Sequence, residues 1–114
     1  MICSTDLILP PAMVRSDSFG RKDDHDKKCR PDLIPPFAEE ELARVLAHGA
    51  SKYADDNWRK VENAKTRYLA AARRHLIAYK KGELKDPESG LHPLAHAVAS
   101  LMFILELELE NNGH

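Results

Sequence analysis

Imidazole, carboxylate and guanidinium groups recur in this chain at spacings that could bring them to one place. In the segment HPLAHAVASLMFILELEL, residues 92–109, His92, His96 and Ser100 fall one helical turn apart, and across 94–105 the only polar side chains are His96 and Ser100. Arg73-Arg74-His75 sets another imidazole on the apolar stripe of an earlier segment, beside two arginines of which at most one can share its direction. Glu39, Glu40, Glu41 and His48 lie upstream, and Asp86 and Glu88 lie between the two histidine segments. Carboxylates are hard oxygen donors suited to Mg²⁺ or Mn²⁺, and imidazole suits Mn²⁺ or Zn²⁺ better. A metal so held could bind a di- or triphosphate, orient a water and neutralise charge on the phosphoryl group under attack. An imidazole on an apolar face can equally be a hydrogen-bonded core histidine. At this level both readings stand.

Three helices would have to carry these groups. The first opens at Pro36, which suits a first turn, with Glu39–Glu41 near the positive end of the dipole. Leu42, Val45, Leu46, Gly49 and Tyr53 form its buried stripe, and it runs to about Ala54. Gly49 inside a helix costs ~1 kcal/mol against Ala and implies close approach by another helix or a ligand. Asp55-Asp56-Asn57-Trp58 follows as a polar turn with the only tryptophan. The second helix spans roughly Glu62 to Lys81, with Tyr68, Ala72, His75, Leu76 and Tyr79 on one face. Between Trp58 and Lys81 eight Lys or Arg stand against one Glu, a balance that suits a polyanionic small molecule or acidic residues of another subunit. Gly82 ends this helix, and ELKDPESG is a polar loop with turn signals at Asp86-Pro87 and Ser89-Gly90. In the last helix Leu94, Val98, Leu101 and Leu105 recur at three and four, and Leu91, Ala95, Met102 and Ile104 fill neighbouring faces. Such a helix is covered on most sides, yet its apolar run is shorter than the ~20 residues a bilayer needs. The second and third helices form an antiparallel hairpin.

The expected fold class is therefore all-α: a small antiparallel bundle of three main helices, completed by self-association, with an extended N-terminal arm. Residues 1–32 are the arm, 33–110 the helical domain and 111–114 a tail. A short strand around Leu7–Leu9 is expected within the arm. GRKDDHDKKCRPD (20–32) is dense in both charges, with five basic and three acidic groups in Gly20–Arg30. It reads as solvated linker, or as a basic strand closing over phosphates. With 17 Lys and Arg against 18 Asp and Glu, the chain has no general attraction to a nucleic-acid polymer. Cys3 and Cys29 suggest neither a zinc knuckle nor a disulfide framework. No signal peptide is evident, because Leu7-Ile8-Leu9 runs at once into two prolines, and a cytoplasmic protein without a membrane partner is expected. The final helix has more apolar faces than two partners can cover in so short a chain, which points to a homo-oligomer.

The blocks GRKDD-x4-CRPDLIPP, GASKYADDNW and RRHLIAY-x2-GELKDPESGLHPLAHAVASLMFILEL occur in that order. From Gly20 to Leu107 the chain resembles the phage and bacterial family known as dATP/dGTP diphosphohydrolase, N-terminal domain. That family is similar to the MazG-like all-α nucleotide pyrophosphohydrolases, which self-associate and cleave (d)NTP to (d)NMP and pyrophosphate with Mg²⁺ or Mn²⁺. Carried over by position, the family's basic and aromatic signature falls on Lys28 and Arg30, Lys52 and Tyr53, and Asn57 and Trp58. Its RH pair falls on Arg74 and His75, and its acidic loop on Glu83, Asp86 and Glu88. The last helix of the family shows a pattern like HLxHxxxN. Here His96 matches the second histidine, Pro93 stands in place of the first with His92 one residue early, and Ser100 replaces the asparagine. The EExxE and ExxD pairs of MazG-like enzymes are absent.

The resemblance implies a metal-dependent hydrolase of nucleoside triphosphates, purine deoxynucleotides foremost. Glu40 or Glu41, Asp86 and His96 would hold or orient Mg²⁺ or Mn²⁺, and a carboxylate such as Glu41, or His75, would position the attacking water. Lys28, Arg30, Lys52 and Arg74 would clamp phosphates, with Asn57 beside Tyr53 or Trp58, one of which stacks on the base. His75 and His96 are expected to face one cleft between the second and third helices. The alternatives are an inactive nucleotide-binding or sequestering protein using the same pocket, and a small helical module whose basic face binds another protein.

Overall fold

A computed structural model of the chain describes residues 28–112. The expected arm at 1–19, with its short strand, lies outside the described residues. The chain divides after Leu33. In the first part, Pro31–Leu33 makes one 3₁₀ turn, closed by the Leu33 N–H on the Arg30 carbonyl at 3.0 Å. Arg30 grips Asp32 there with two parallel hydrogen bonds of 3.0 and 2.9 Å.

The second part is all-α, with helices α1 (Pro36–Lys52), α2 (Ala64–Lys80) and α3 (Pro93–Asn111) and a 3₁₀ turn at Asn57–Lys60. No strand occurs among the described residues, and none of their helices is long and apolar enough to cross a membrane. α1 starts on Pro35-Pro36 without a side-chain cap, and its first hydrogen bond runs from Glu39 N–H to the Pro35 carbonyl. It ends at Lys52, two residues short of expectation, so Tyr53 leaves the helical stripe and stands 66% exposed. Nothing lies within 4 Å of where a Gly49 side chain would begin. No helix approaches closely at that glycine, which lines open space instead.

α2 ends as a glycine stop requires. Gly82 has φ +103°, its N–H donates to the Tyr79 carbonyl, and the Glu83 N–H reaches back to Ala78. The following loop turns on Asp86, whose side-chain Oδ2 accepts from the N–H groups of Glu88 and Ser89, each at 3.0 Å. Its backbone N–H donates to the Leu91 carbonyl at 2.7 Å. α3 then begins at Pro93, with His92 Nδ1 accepting from Leu94 N–H at 3.0 Å as the cap.

α2 and α3 form the expected antiparallel hairpin. The pairs Tyr79–His92, His75–His96, Tyr68–Phe103 and Lys65–Glu108 step down one helix as they step up the other. α1 packs on α3 through Val45 against Ala95 and Ala99, flanked by Leu42, Leu46 and Leu91. Apart from Pro93 at its start, the buried positions of α3 are therefore its small ones: Ala95, Ala97, Ala99 and Ser100. Val98, Leu101 and Leu105 are about half exposed, so the larger residues of the 94/98/101/105 row point outward. Alanines let two helices approach closely, and among the described residues no further helix covers the leucines.

Candidate functional site

Because α1 and α2 both lean on α3, an open groove of about 1440 Å³ lies between them. His48, Gly49 and Lys52 line it from α1, and Arg67, Arg74 and His75 line it from α2. The floor is the inner face of α3: His96, Ala99, Ser100 and Phe103. Tyr53, Asn57 and Trp58 stand along the connection from α1 to α2, and Asp86 and Glu88 come from the loop before α3. One end is rich in imidazole and carboxylate and the other in aromatic rings. Seven residues along α3 separate His96 from Phe103, about 10 Å of helix rise.

At the imidazole end, His75 and His96 stack with ring centroids 4.8 Å apart and planes 21° off parallel. Burial pushes both below the usual histidine range; each ring's neighbours add to this, His96 beside His75 and His48 near His96, while Asp86 opposes it at both. Two neutral imidazoles therefore face the groove near neutral pH. His96 Nε2 lies 2.7 Å from Ser89 Oγ, which is 3.3 Å from Asp86 Oδ2. Burial raises the Asp86 carboxyl, but the N–H groups of Ser89 and Glu88 and the nearby His96 outweigh it and hold it below its ordinary value. Glu88 ion-pairs with Lys52 and lies 3.9 Å from His48 Nε2.

At the aromatic end, the Trp58 ring stacks on Phe103 at 4.5 Å and 10°, and Tyr68 meets Phe103 edge-on at 5.1 Å. Arg59 lies over the Trp58 ring at 4.5 Å while its guanidinium bridges to Glu110 at 2.8 Å. A parallel phenyl ring and a guanidinium cannot share one face of an indole, so both faces of Trp58 are occupied. Tyr53 keeps most of its ring in solvent, with the Lys52 ammonium 5.3 Å above it.

The groove thus brings together Lys52, Tyr53, Asn57, Trp58, Arg74, His75, Asp86 and His96. Glu40 and Glu41 do not line it. Glu40 pairs with Arg44 at 3.2 Å. Glu41 accepts the His92 backbone N–H at 3.0 Å, which ties α1 to the start of α3 and, with Arg44, lowers its carboxyl. Lys28 and Arg30 belong to the part before Ile34, where Arg30 is taken by Asp32. Among the described residues no three His, Cys, Asp or Glu side chains gather so as to hold a metal ion. Glu40, Glu41, Asp86 and His96 each have the protein partners just named. Asp86 and His96 share the groove, and Glu40 and Glu41 stand outside it.

Arg67, Tyr68, Ser89 and Phe103 were not among the expected site residues. Arg67 is legible in retrospect, since it stands seven residues before Arg74 on the same helix face. Phe103 is hidden inside an apolar run, and Ser89 reads as a turn residue.

The family model described as dATP/dGTP diphosphohydrolase, N-terminal, matches residues 19–114. A dATP/dGTP diphosphohydrolase of Salmonella phage PMBT28 is 47% identical over 77 residues, which cover 66% of this chain and 25% of that relative. The chain spans about a quarter of that relative's length. No solved structure matches. With most of its residues inside the family model and about half of them shared with a phage relative across the aligned segment, the chain belongs to the dATP/dGTP diphosphohydrolase N-terminal family.

Proposed function

We propose that the groove binds a nucleoside triphosphate, a purine deoxynucleotide foremost, and cleaves it to monophosphate and pyrophosphate. One observation carries this reading. Arg67 and Arg74, two turns apart on α2, both line the groove and pair with no carboxylate among the described residues. Elsewhere on the same domain Arg44 and Arg59 are held by glutamates. A guanidinium fork matches phosphate oxygens in pairs, and two forks on one wall suit a chain of phosphates. Lys52 adds a third charge once phosphate displaces Glu88 from it. Tyr53 is the aromatic group with a face open to a base.

Hydrolysis needs a water whose oxygen bonds to phosphorus beside the α–β bridge as that bridge breaks. The electron pair of the broken P–O bond leaves with pyrophosphate when the α-phosphorus is attacked, and with the nucleoside monophosphate when the β-phosphorus is. A neutral imidazole can take the water's proton, and the stacked His75–His96 pair supplies that group at the end of the groove nearest Arg74. The arginines would neutralise the charge that develops on the phosphoryl oxygens. Mg²⁺ or Mn²⁺ belongs to this proposal as the counter-ion carried by the triphosphate. The name of the phage relative supports the choice of dATP and dGTP.

A second reading is favoured by the position of Glu40 and Glu41 outside the groove: a protein that binds the nucleotide without turning it over. The exposed leucines of α3 also support self-association of the domain. Incubating the protein with each common NTP and dNTP, with and without Mg²⁺ or Mn²⁺, and resolving the products by chromatography separates the readings. Release of pyrophosphate supports hydrolysis at the α–β bridge. Stabilisation by a triphosphate that is never consumed supports the binding protein.

A further inference from the structure

We infer that Ser89 is a positioning residue that fixes His96 in the Nε2–H tautomer, leaving Nδ1 as its proton-accepting nitrogen. The inference follows from counting protons at one hydroxyl. Ser89 Oγ has three neighbours: Asp86 Oδ2 at 3.3 Å, the Leu91 N–H at 3.1 Å and His96 Nε2 at 2.7 Å. A serine hydroxyl donates one hydrogen bond and accepts two. The Leu91 amide can only donate, so it takes one acceptor position. The Asp86 carboxylate can only accept, so it takes the hydroxyl proton. His96 Nε2 is left with the remaining lone pair and must therefore carry hydrogen. In the reverse assignment the hydroxyl donates to Nε2, and a carboxylate oxygen then faces a hydroxyl lone pair with no proton between them.

The carboxylate in this chain is anchored independently by the N–H groups of Glu88 and Ser89, so the relay ends on a fixed point of the backbone. The second constraint on the ring is the stacked His75, which sets the plane of His96 while Ser89 sets its rotation. Among the described residues nothing is hydrogen-bonded to His96 Nδ1. A nitrogen with a free lone pair, on a ring held at two edges and lining the groove, is what a water would need in order to give up a proton there. That last use rests on the proposed hydrolysis. The tautomer does not.

The test is a long-range ¹H–¹⁵N spectrum of the histidine rings of the labelled full chain, at a pH well above the histidine range. His96 should show a protonated Nε2 and an unprotonated Nδ1, with the Nε2 proton protected from solvent exchange. In Ser89→Ala the protection should vanish and the Nδ1–H form should become populated, and Ser89→Thr should restore the original pattern. Wild-type protein with hydrogen on Nδ1 overturns the inference without any variant, and so does a Ser89→Ala ring indistinguishable from wild type. If the domain turns over a triphosphate, Ser89→Ala should lower kcat roughly tenfold or more with KM unchanged. Absence of turnover in the wild type with the Nε2–H tautomer in place refutes the proposed hydrolysis and leaves the role of Ser89 standing.

Discussion

Truncating Phe103 should destabilise the helical domain and unseat Trp58 together. The phenyl ring is the middle of a stack: Trp58 lies parallel to it at 4.5 Å and Tyr68 meets its edge at 5.1 Å. Each such pair contributes about 0.5–1.5 kcal/mol beyond area burial. A fully buried Phe→Ala costs about 3–5 kcal/mol, and Phe103 is only partly buried, so a loss of roughly 3 kcal/mol is expected for Phe103→Ala. In a domain of this size each kcal/mol moves Tm by about 4–8 °C, which gives a fall of roughly 12–24 °C. Trp58 is the only tryptophan, so its emission reports the same event locally. It should shift to the red and become more accessible to acrylamide, because the indole loses one of its two covers. Phe103→Leu should fall between wild type and Ala, since it keeps volume and loses the stack. A Phe103→Ala protein that melts within a few degrees of wild type with unshifted emission would refute this reasoning, and with it the aromatic wall of the groove.

Arg67→Ala and Arg74→Ala should each weaken triphosphate binding by about 10- to 100-fold, the worth of roughly 1.5–3 kcal/mol for a charge-assisted hydrogen bond, as read by calorimetric titration. Substituting Arg73, which does not line the groove, should change little. His75 and His96 are held below 6.5 in the folded domain, chiefly by burial, so below that value the unfolded chain binds more protons. Tm should therefore decline as pH falls from about 7 towards about 5, and His75→Asn should flatten the decline. Leu101→Glu on the half-exposed outer row of α3 should convert a species of at least twice the chain mass to a monomer in light scattering. A wild-type monomer at micromolar concentration would end the proposal of self-association.

Sequence patterns carried the helices and their hairpin because glycine, proline and the turn residues act locally. Gly82 with φ +103° and Pro93 after a His92 cap are effects a chain shows without its partners. They were less informative about which face is buried. The 94/98/101/105 row is the most hydrophobic on α3 and is largely exposed, because close helix approach selects Ala95, Ala97 and Ala99 and pushes the leucines out. The two histidines were legible as polar breaks in apolar faces, and their stacking follows from the antiparallel register. The carboxylates divide. Asp86 closes the turn that Asp86-Pro87 signals, through bonds two and three residues on, whereas Glu41 is placed by the long-range bond to the His92 amide, which has no local signal. Trp58 is chemically suited to stack on a base, yet its neighbour Arg59 and the distant Phe103 take its faces, and the second of these contacts leaves no mark in the local sequence.

That the groove between α1 and α2 takes the triphosphate is tested most directly by mapping a bound nucleotide on the ¹H–¹⁵N spectrum of the labelled chain. A dATP or dGTP analogue with a methylene group in place of the α–β bridging oxygen avoids turnover. Shifts concentrated at Lys52, Arg67, Arg74, His75 and His96, with Leu101 and Leu105 unmoved, are the expected result. Shifts confined to the outer face of α3, or none at millimolar analogue, would contradict it.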